Sequence, residues 1–205
     1  MRNRTTNQIE LILIRHGATA SNERGSYLGK TEEPLSENGL LNLMKKKENG
    51  SYPPAELVAA SPMKRCVQTA ELIYGRVPAV LVEEWKEIDF GRFEGKTWRE
   101  LEGDPDYQKW IDSGGTLPFP NGESRDVFIE RCTDGFTHFC KGLLGRRPLP
   151  EAVALIVHGG TIMALLSSFS AGDYYSYQCK CAEGYRCELD LKDQIRLRGI
   201  RKLGI

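Results

Sequence analysis

The sequence carries no excess of charge of either sign. Its 205 residues include 28 Lys and Arg against 28 Asp and Glu, so the formal net charge is zero. A balance of this kind lacks the basic surface expected of proteins that bind nucleic acid or an anionic membrane. We therefore expect neither partner, and any anionic ligand must be held by a few individual cations.

Long apolar segments and a cysteine framework are missing as well. The apolar runs, such as Leu11 to Ile14 and residues 152–157, fall far short of the roughly 18 residues that a transmembrane helix needs. The basic start, Met1 to Arg4, has no apolar stretch or cleavage site behind it, so we predict no secretion signal. The six cysteines are scattered, unlike those of small disulfide-rich proteins, which favours reduced thiols and a cytoplasmic location.

Short β-prone runs alternate with helical patterns along the chain. Four such runs are apolar almost throughout, which is typical of strands buried on both faces of a parallel sheet. They cover residues 9–14, 57–60, 80–82 and 152–157. Helical spacing lies over about 36–50, 66–75 and 161–169. This order predicts an α/β fold, a three-layer αβα sandwich with a mostly parallel central sheet, in a single domain over residues 1–205.

Two parts of the chain depart from this alternation. Residues from about 92 to 150 contain a helical stretch from Trp98 to Trp110, a Gly- and Pro-rich loop and a long amphipathic helix. The apolar stripe of that helix consists of Ile129, Cys132, Phe136, Phe139, Cys140 and Leu143. We predict a helical insertion beside the active site, with residues 118–124 overhanging the strand ends. The patterns at 185–189 and 195–198 predict half-exposed, antiparallel edge strands.

Two histidines follow predicted strands in the same way. His16 comes after Arg15 at the end of the first run, and His158 comes after the run at 152–157. A glycine follows each histidine, and a predicted helix begins after Gly159. Ligands of open α/β sheets bind outside the carboxyl ends of strands, and helix N-termini attract anions. We therefore expect both histidines at one anion site.

An arginine and several carboxylates follow further along the chain. Arg65 stands at the opening of a helix after a Ser-Pro pair, although an arginine there can also be an ordinary surface cation. Glu87, Asp89 and Glu94 supply carboxylates in the next segment, at a predicted strand end. Phosphoryl transfer requires a nucleophile, cations over the phosphoryl oxygens and an acid for the leaving oxygen. By residue type alone, each of the three carboxylates remains a candidate for that acid.

Six motifs occur in one order between about residues 9 and 165. They are Arg15-His16-Gly17 with Thr19 and Asn22; Tyr27-x-Gly29 through Pro34-Leu35-Ser36 and Gly39; Ser61-Pro62-x-x-Arg65; Glu87-x-x-Phe90-Gly91 with Glu94-Gly95; Gly122-Glu123-Ser124; and His158-Gly159-Gly160. Each motif alone is weak, whereas the six in sequence are specific. Together they resemble the histidine phosphatase superfamily, in its phosphoglycerate mutase-like branch.

The resemblance implies a catalytic set of five residues. His16 would attack phosphorus and become phosphorylated, while Arg15, Arg65 and a cationic His158 hold the phosphoryl oxygens. Glu87 would protonate the leaving alcohol and then activate water, which favours Glu87 as the acid. His16 must present a neutral nitrogen, and neighbouring cations favour this by lowering its pKa.

The resemblance also implies contacts to the phosphate outside that set. Asn22 and the backbone near Gly29 would bind the phosphate, with Thr19 and Gly159 in the same binding site. No metal and no other cofactor is expected, because the guanidinium groups and the cationic histidine supply the positive charge.

The segment from Tyr27 to Ser36 is closer to the pattern of α-ribazole phosphatases than to the loop of glycolytic mutases. We therefore expect hydrolysis of a small phosphomonoester, with α-ribazole 5′-phosphate as the specific candidate, by a monomer or homodimer. A phosphoglycerate mutase-type phosphotransferase is the alternative reaction. An inactive module that binds a phosphorylated ligand is the alternative of another class, although no key residue is missing from the sequence.

Other polar residues have simpler interpretations. Cys179, Cys181 and Cys187 lack a fourth ligand at the usual zinc spacing, so we predict no metal site there. His138 lies beside the apolar stripe and is expected to be structural or solvent-facing. Glu123 either stabilises the start of the following helix through its dipole or belongs to the pocket, and the residue pattern leaves both open.

Overall fold

The computed structural model describes residues 8–203, and its central layer is a six-stranded sheet. The strands are β1 (Gln8–Arg15), β2 (Leu57–Ala60), β3 (Val80–Leu81), β4 (Ala152–Val157), β5 (Gly184–Asp190) and β6 (Arg196–Lys202). The helices are α1 (Ala20–Arg24), α2 (Glu37–Glu48), α3 (Lys64–Tyr74), α4 (Pro105–Asp112), α5 (Arg125–Leu144) and α6 (Gly159–Phe169). Short 3-10 helices cover Glu83–Trp85, Gly91–Phe93 and Tyr174–Tyr177.

The strand order in the sheet is β3-β2-β4-β1-β5-β6. The first four strands in this order are parallel, whereas β5 runs antiparallel to β1 and β6 antiparallel to β5. The predicted α/β fold with a mostly parallel sheet is therefore confirmed. The prediction of two C-terminal edge strands is wrong for β5, which lies between β1 and β6 because Tyr185, Cys187 and Leu189 pack into the core.

Alternate residues of β1 point to opposite sides of the sheet, as the two-residue period of a strand requires. Leu11 and Leu13 belong to a core cluster that includes residues of α5 and α6. Ile12 and Ile14 belong to a second cluster, which includes residues of α2 and α3. The sheet is thus covered on both faces, and its near-continuous apolar strands follow from that double burial.

The insertion between β3 and β4 differs in detail from its prediction. Residues 98–103 form turns, so the helical stretch predicted from Trp98 begins only at Pro105. The Asp104 carboxylate caps this helix by accepting from two backbone N–H groups, and proline suits the first helical position. In α5, Phe128 is fully buried whereas Ile129 is half-buried, which rotates the buried stripe slightly from the predicted one.

The register of β1 and β4 determines where the candidate site lies. These strands are parallel neighbours, and Arg15 is the partner of Val157 at their last paired position. The next residues, His16 and His158, therefore leave adjacent strands at the same edge of the sheet. None of the helices within residues 8–203 combines the length and the apolar character needed to cross a bilayer.

Candidate active site

His16 and His158 meet in the interior at the carboxyl edge of the sheet. Their ring centroids are 5.1 Å apart in an edge-to-face arrangement, and both side chains are buried. The two histidines that the sequence places 142 positions apart are therefore neighbours in space. Their proximity follows directly from the pairing of β1 with β4.

The hydrogen bond made by His16 defines its tautomer. Nδ1 lies 2.7 Å from the carbonyl oxygen of Gly17. A carbonyl only accepts, so Nδ1 carries the proton and Nε2 of the neutral ring holds a free electron pair. Burial, followed by the charges of Arg65 and Arg15, lowers the pKa of His16 well below its ordinary value. The ring is thus held in the neutral form that a nucleophile requires.

His158 is held from the neighbouring strand end. Its Nε2 lies 2.8 Å from the hydroxyl oxygen of Ser61, which follows β2. Burial, and then the charge of Arg65, lowers the pKa of His158 well below its ordinary value. With these charges alone the imidazole is neutral, so the cationic form expected from the sequence requires the added negative charge of a phosphate dianion.

Two arginines bring positive charge to the same edge. Arg65 is fully buried and donates from its two Nη atoms to the carbonyls of Thr31 and Gly29. Arg15 donates from Nη1 to the carbonyl of Cys179 at 2.8 Å. Within residues 8–203, the buried Nε of each has no hydrogen-bond partner, and no carboxylate forms an ion pair with either guanidinium. A desolvated, unpaired charge of this kind favours the binding of an anion.

Glu87 is the carboxylate of this site. It follows the 3-10 helix Glu83–Trp85 in an irregular segment, and does not end a strand as the sequence suggested. One of its oxygens accepts from the N–H of Ile88 at 3.1 Å and the other from that of Gly160 at 3.4 Å. Burial raises the pKa of Glu87, against the opposing effect of the Ile88 hydrogen bond and of the arginines. Its environment therefore favours the protonated acid.

The other two candidate carboxylates shape the loops around the site. Asp89 forms an ion pair with Lys30 at 2.9 Å and accepts from the N–H of Gly91. Glu94 accepts from the N–H groups of Gly29 and Thr31 through one oxygen. Asp89 and one oxygen of Glu94 are thus engaged with the loops, whereas Glu87 lines the cavity beside Arg15.

The four predicted phosphate-binding residues make contacts mainly with their neighbours in the loops. Thr19 caps α1, and its N–H and hydroxyl both interact with the Asn22 amide oxygen at 3.2 Å. The N–H of Gly29 is engaged by Glu94 while its carbonyl supports Arg65, so this glycine acts here as a scaffold. A side chain at Gly159 would contact the Arg15 guanidinium at 3.4 Å. Direct binding of phosphate by these four residues stays a prediction.

A cavity of about 240 Å³ opens beside Arg15, Glu87 and the start of α6. Its walls are largely aromatic and include Phe90, Trp110, Phe119, Tyr174 and Tyr175. Among residues 8–203, Glu87 is the sole carboxylate that lines the cavity, and Arg125 lies at its wall with its guanidinium over both tyrosine rings. Phe119 comes from the loop that was expected to overhang the strand ends.

Sequence reasoning did not identify Trp110, Arg125, Tyr174 or Tyr175 as residues of the site. Arg125 directly follows the Gly-Glu-Ser motif, which is a signal that could have directed attention to it. Nothing in the local pattern marks the other three, because packing of distant segments brings them together. Among the described residues, no three His, Cys, Asp or Glu side chains form a group able to hold a metal ion.

Comparison with known proteins gives a family match over most of the chain. The sequence model of the histidine phosphatase superfamily (branch 1) matches residues 11–193. The chain is 30% identical over 168 residues to an uncharacterized phosphatase, PhoE, of Bacillus subtilis, covering 80% of this chain and 78% of the relative. It is 32% identical over 163 residues to a metal-independent phosphoserine phosphatase of Arabidopsis thaliana, covering 76% and 66%.

Similarity to α-ribazole phosphatases is found in both sequence and fold. The adenosylcobalamin/α-ribazole phosphatase of Salmonella typhimurium is 32% identical over 127 residues, which cover 60% of this chain and 63% of that protein. The crystal structure of the α-ribazole phosphatase from Shigella flexneri superposes with a TM-score of 0.77 at 21% identity, covering 93% of this chain and 95% of that one. The latter similarity concerns the fold.

Proposed function

Because the chain belongs to the histidine phosphatase superfamily, branch 1, we propose that it hydrolyses a small phosphomonoester through a phosphohistidine at His16. One observation carries the proposal. A buried, neutral imidazole with a free Nε2 lies beside two guanidinium groups that have no carboxylate partner among the described residues. Such a site combines a nucleophile with positive charge already in place for the phosphoryl oxygens.

The first step transfers the phosphoryl group to the protein. Nε2 of His16 forms a bond to phosphorus while the P–O bond to the leaving alcohol breaks, and Glu87 gives its proton to the departing oxygen. Arg15 and Arg65 stabilise the charge on the phosphoryl oxygens. His158 gains a proton as the dianion binds and becomes a third donor.

The second step regenerates the site. Water attacks phosphorus and passes a proton to the Glu87 carboxylate, while the P–N bond to His16 breaks. Inorganic phosphate leaves, His158 returns its extra proton to solvent, and His16 and Glu87 return to their neutral forms. No metal is needed in this scheme, because the arginines already provide permanent positive charge at the phosphoryl position.

The cavity favours a leaving alcohol that carries a planar ring. Trp110 and Phe119 stack with centroids 4.9 Å apart, and together with the tyrosines they offer faces for stacking. The ammonium group of phosphoserine would find one carboxylate, Glu87, among the described lining residues, and that group is engaged in the chemistry. We therefore favour α-ribazole 5′-phosphate, whose base is aromatic, as the specific substrate.

Turnover of p-nitrophenyl phosphate in the presence of a chelator tests the reaction. The wild type should release phosphate, whereas His16→Ala should be inactive and should yield no acid-labile, base-stable phosphate label. Equal activity of the two proteins would rule out the mechanism. Complete inactivity of the wild type together with tight binding of phosphate would instead support the phospho-ligand-binding module.

A second assay separates the candidate substrates and reactions. α-Ribazole 5′-phosphate, phosphoserine and 3-phosphoglycerate should be compared side by side, with release of inorganic phosphate measured for each. Faster hydrolysis of the first supports the aromatic leaving group. Conversion of 3-phosphoglycerate into its isomer without release of phosphate would favour the mutase-type phosphotransferase.

A further inference from the structure

Arg131 is not among the residues that line the cavity, yet its side chain is directed at the segment that carries Glu87. It lies on α5 and reaches across to residues 84–87. Nη1 donates to the carbonyls of Glu84 at 2.6 Å and Lys86 at 2.8 Å. Nη2 donates to the carbonyl of Glu87 itself at 3.1 Å.

The remaining N–H groups of Arg131 bind Glu123. Nε donates to one carboxylate oxygen at 2.7 Å and Nη2 to the other at 2.8 Å. Together with the bonds to the carbonyls, these contacts use all five N–H donors of the guanidinium. The pair is largely shielded from solvent, with side-chain exposures of 27% for Arg131 and 13% for Glu123.

Glu123 forms hydrogen bonds to the chain on the C-terminal side of Glu87. Its backbone N–H donates to the carbonyl of Asp89 at 2.9 Å, and its carboxylate accepts from the N–H of Asp89 at 3.4 Å. Arg131 and Glu123 together therefore fix the chain both before and after Glu87. Residues 86–90 belong to no helix or strand, so side-chain contacts of this kind must define their conformation.

The same arginine also supports the partner of the Glu87 carboxyl. Its guanidinium lies over the ring of Phe128, 4.8 Å from the centroid. That ring is buried and packs against Gly160, where an added side chain would meet it at 3.0 Å. Gly160 in turn donates its N–H to Glu87. The backbone and the carboxyl group of Glu87 are thus both connected to Arg131.

We propose that Arg131 and Glu123 are positioning residues that hold the Glu87 carboxyl where it can protonate the leaving alcohol. The inference rests on the proposed function, because it needs Glu87 to act as the acid. Glu123, for which the sequence left a helix-dipole role and a pocket role open, is engaged with Arg131 and Asp89. Neither residue is expected to touch the substrate.

The leaving group provides a test that a general loss of structure would not imitate. An alkyl oxygen needs a proton to depart, whereas p-nitrophenolate leaves without one. Arg131→Lys removes the planar fork but keeps the charge. It should lower kcat for α-ribazole 5′-phosphate, whose leaving oxygen is an alkyl oxygen, by about 10- to 100-fold, with KM changed less than about twofold. The pre-steady-state burst of p-nitrophenolate should keep its wild-type rate.

Glu87→Gln provides the matching double-mutant test. If Arg131 acts through Glu87, adding Arg131→Lys to Glu87→Gln should lower alkyl turnover no further. Glu123→Gln keeps the size of the side chain and should lower alkyl turnover selectively, but by a smaller factor than Arg131→Lys. This variant also tests the inference if Arg131→Lys folds poorly. Arg92→Lys is the control, because Arg92 makes ion pairs with Asp104 and Asp106 at the surface and should leave both assays unchanged.

The inference would be overturned if Arg131→Lys lost alkyl turnover and the p-nitrophenolate burst to the same extent. It would also be overturned if the effects of Arg131→Lys and Glu87→Gln were additive. Wild-type kinetics of both Arg131→Lys and Glu123→Gln would contradict it as well. Failure of the proposed function looks different. In that case the wild type itself would release no p-nitrophenolate, or His16→Ala would release it as fast as the wild type.

Discussion

The hydroxyl group of Ser61 lies 2.8 Å from Nε2 of His158, and both side chains are fully buried. Ser61 follows β2 and His158 follows β4, which are parallel neighbours. A contact between two strand ends therefore holds the imidazole that, in the proposed mechanism, accepts a proton when phosphate binds. The hydroxyl can accept from this nitrogen in the protonated ring, which makes it a suitable partner for that change.

Ser61→Ala should weaken phosphate binding and turnover without unfolding the protein. The substitution removes the hydrogen bond to His158 and leaves a buried ring nitrogen without this partner, which typically costs about 1–3 kcal/mol. We expect kcat/KM for p-nitrophenyl phosphate to fall by about 5- to 100-fold. Steady-state kinetics measure the change, with Ser167→Ala on α6 as a control at a hydroxyl that bonds only to its own helix. Unchanged kcat/KM in Ser61→Ala would contradict this role.

Phosphate should stabilise the wild type against heat through its arginines. The free energy of unfolding rises by about 2.7 kcal/mol when a ligand is present at 100 times its Kd. Arg65→Ala removes a fully buried guanidinium and should abolish most of the rise in Tm that inorganic phosphate produces. Differential scanning fluorimetry with a phosphate titration measures this, and Arg76→Ala, which removes an exposed arginine bonded to the carbonyls of Ala55 and Glu56, is the control. An undiminished phosphate effect in Arg65→Ala would place the anion elsewhere.

The pH profile of kcat/KM for an alkyl phosphate should be bell-shaped, with limbs given by His16 and Glu87. His16 must be neutral, and its lowered pKa means that activity is lost only as pH falls well below the ordinary histidine range. Glu87 must be protonated, and its raised pKa means that activity is lost as pH rises through that higher value. Glu87→Gln should lower activity and remove the second limb, whereas Asp89→Asn should retain it. A profile of Glu87→Gln with both limbs intact would assign that titration to another group.

The parallel strands and the meeting of the histidines can be predicted from the local sequence to a large extent. The run before Arg15 and His16 and the run before His158 are apolar almost throughout and end abruptly at polar residues, so both strands and their common edge can be predicted. The proximity of Arg65 is predictable for the same reason, since it opens the helix after β2. These features depend on one segment at a time, together with the rule that parallel strands share an edge.

The walls of the cavity, and the hydrogen bonds of Arg131 and Glu123 to the segment of Glu87, depend on packing between distant segments. Tyr174 and Trp110 come from a 3-10 helix and from α4, and no periodicity relates them. The sequence pattern predicts Arg131 to be an ordinary charged residue of an amphipathic helix. Its hydrogen bonds to the backbone of residues 84–87 follow only from the fold. The internal position of β5 was not predicted, because an alternating pattern indicates that one face of a strand is exposed but not how many strands pair with it.

Trp110 should determine how well the protein binds an aromatic leaving group. Its ring stacks with Phe119 and lines the cavity, and stacking of a base on an aromatic side chain is worth about 1–3 kcal/mol. Trp110→Leu should therefore raise KM for α-ribazole 5′-phosphate by about 5- to 100-fold, while KM for a short alkyl phosphate changes little.

The matched control is Trp98→Leu, because Trp98 is 55% exposed and lies outside the residues that line this cavity. It should leave KM for both substrates unchanged. If Trp110→Leu raises KM for the alkyl and the aromatic phosphate by the same factor, the tryptophan supports the shape of the site in general and does not select the ring. The aromatic walls would then be an extension of the core, and the preference for an aromatic alcohol would have to be abandoned while the chemistry at His16 stands.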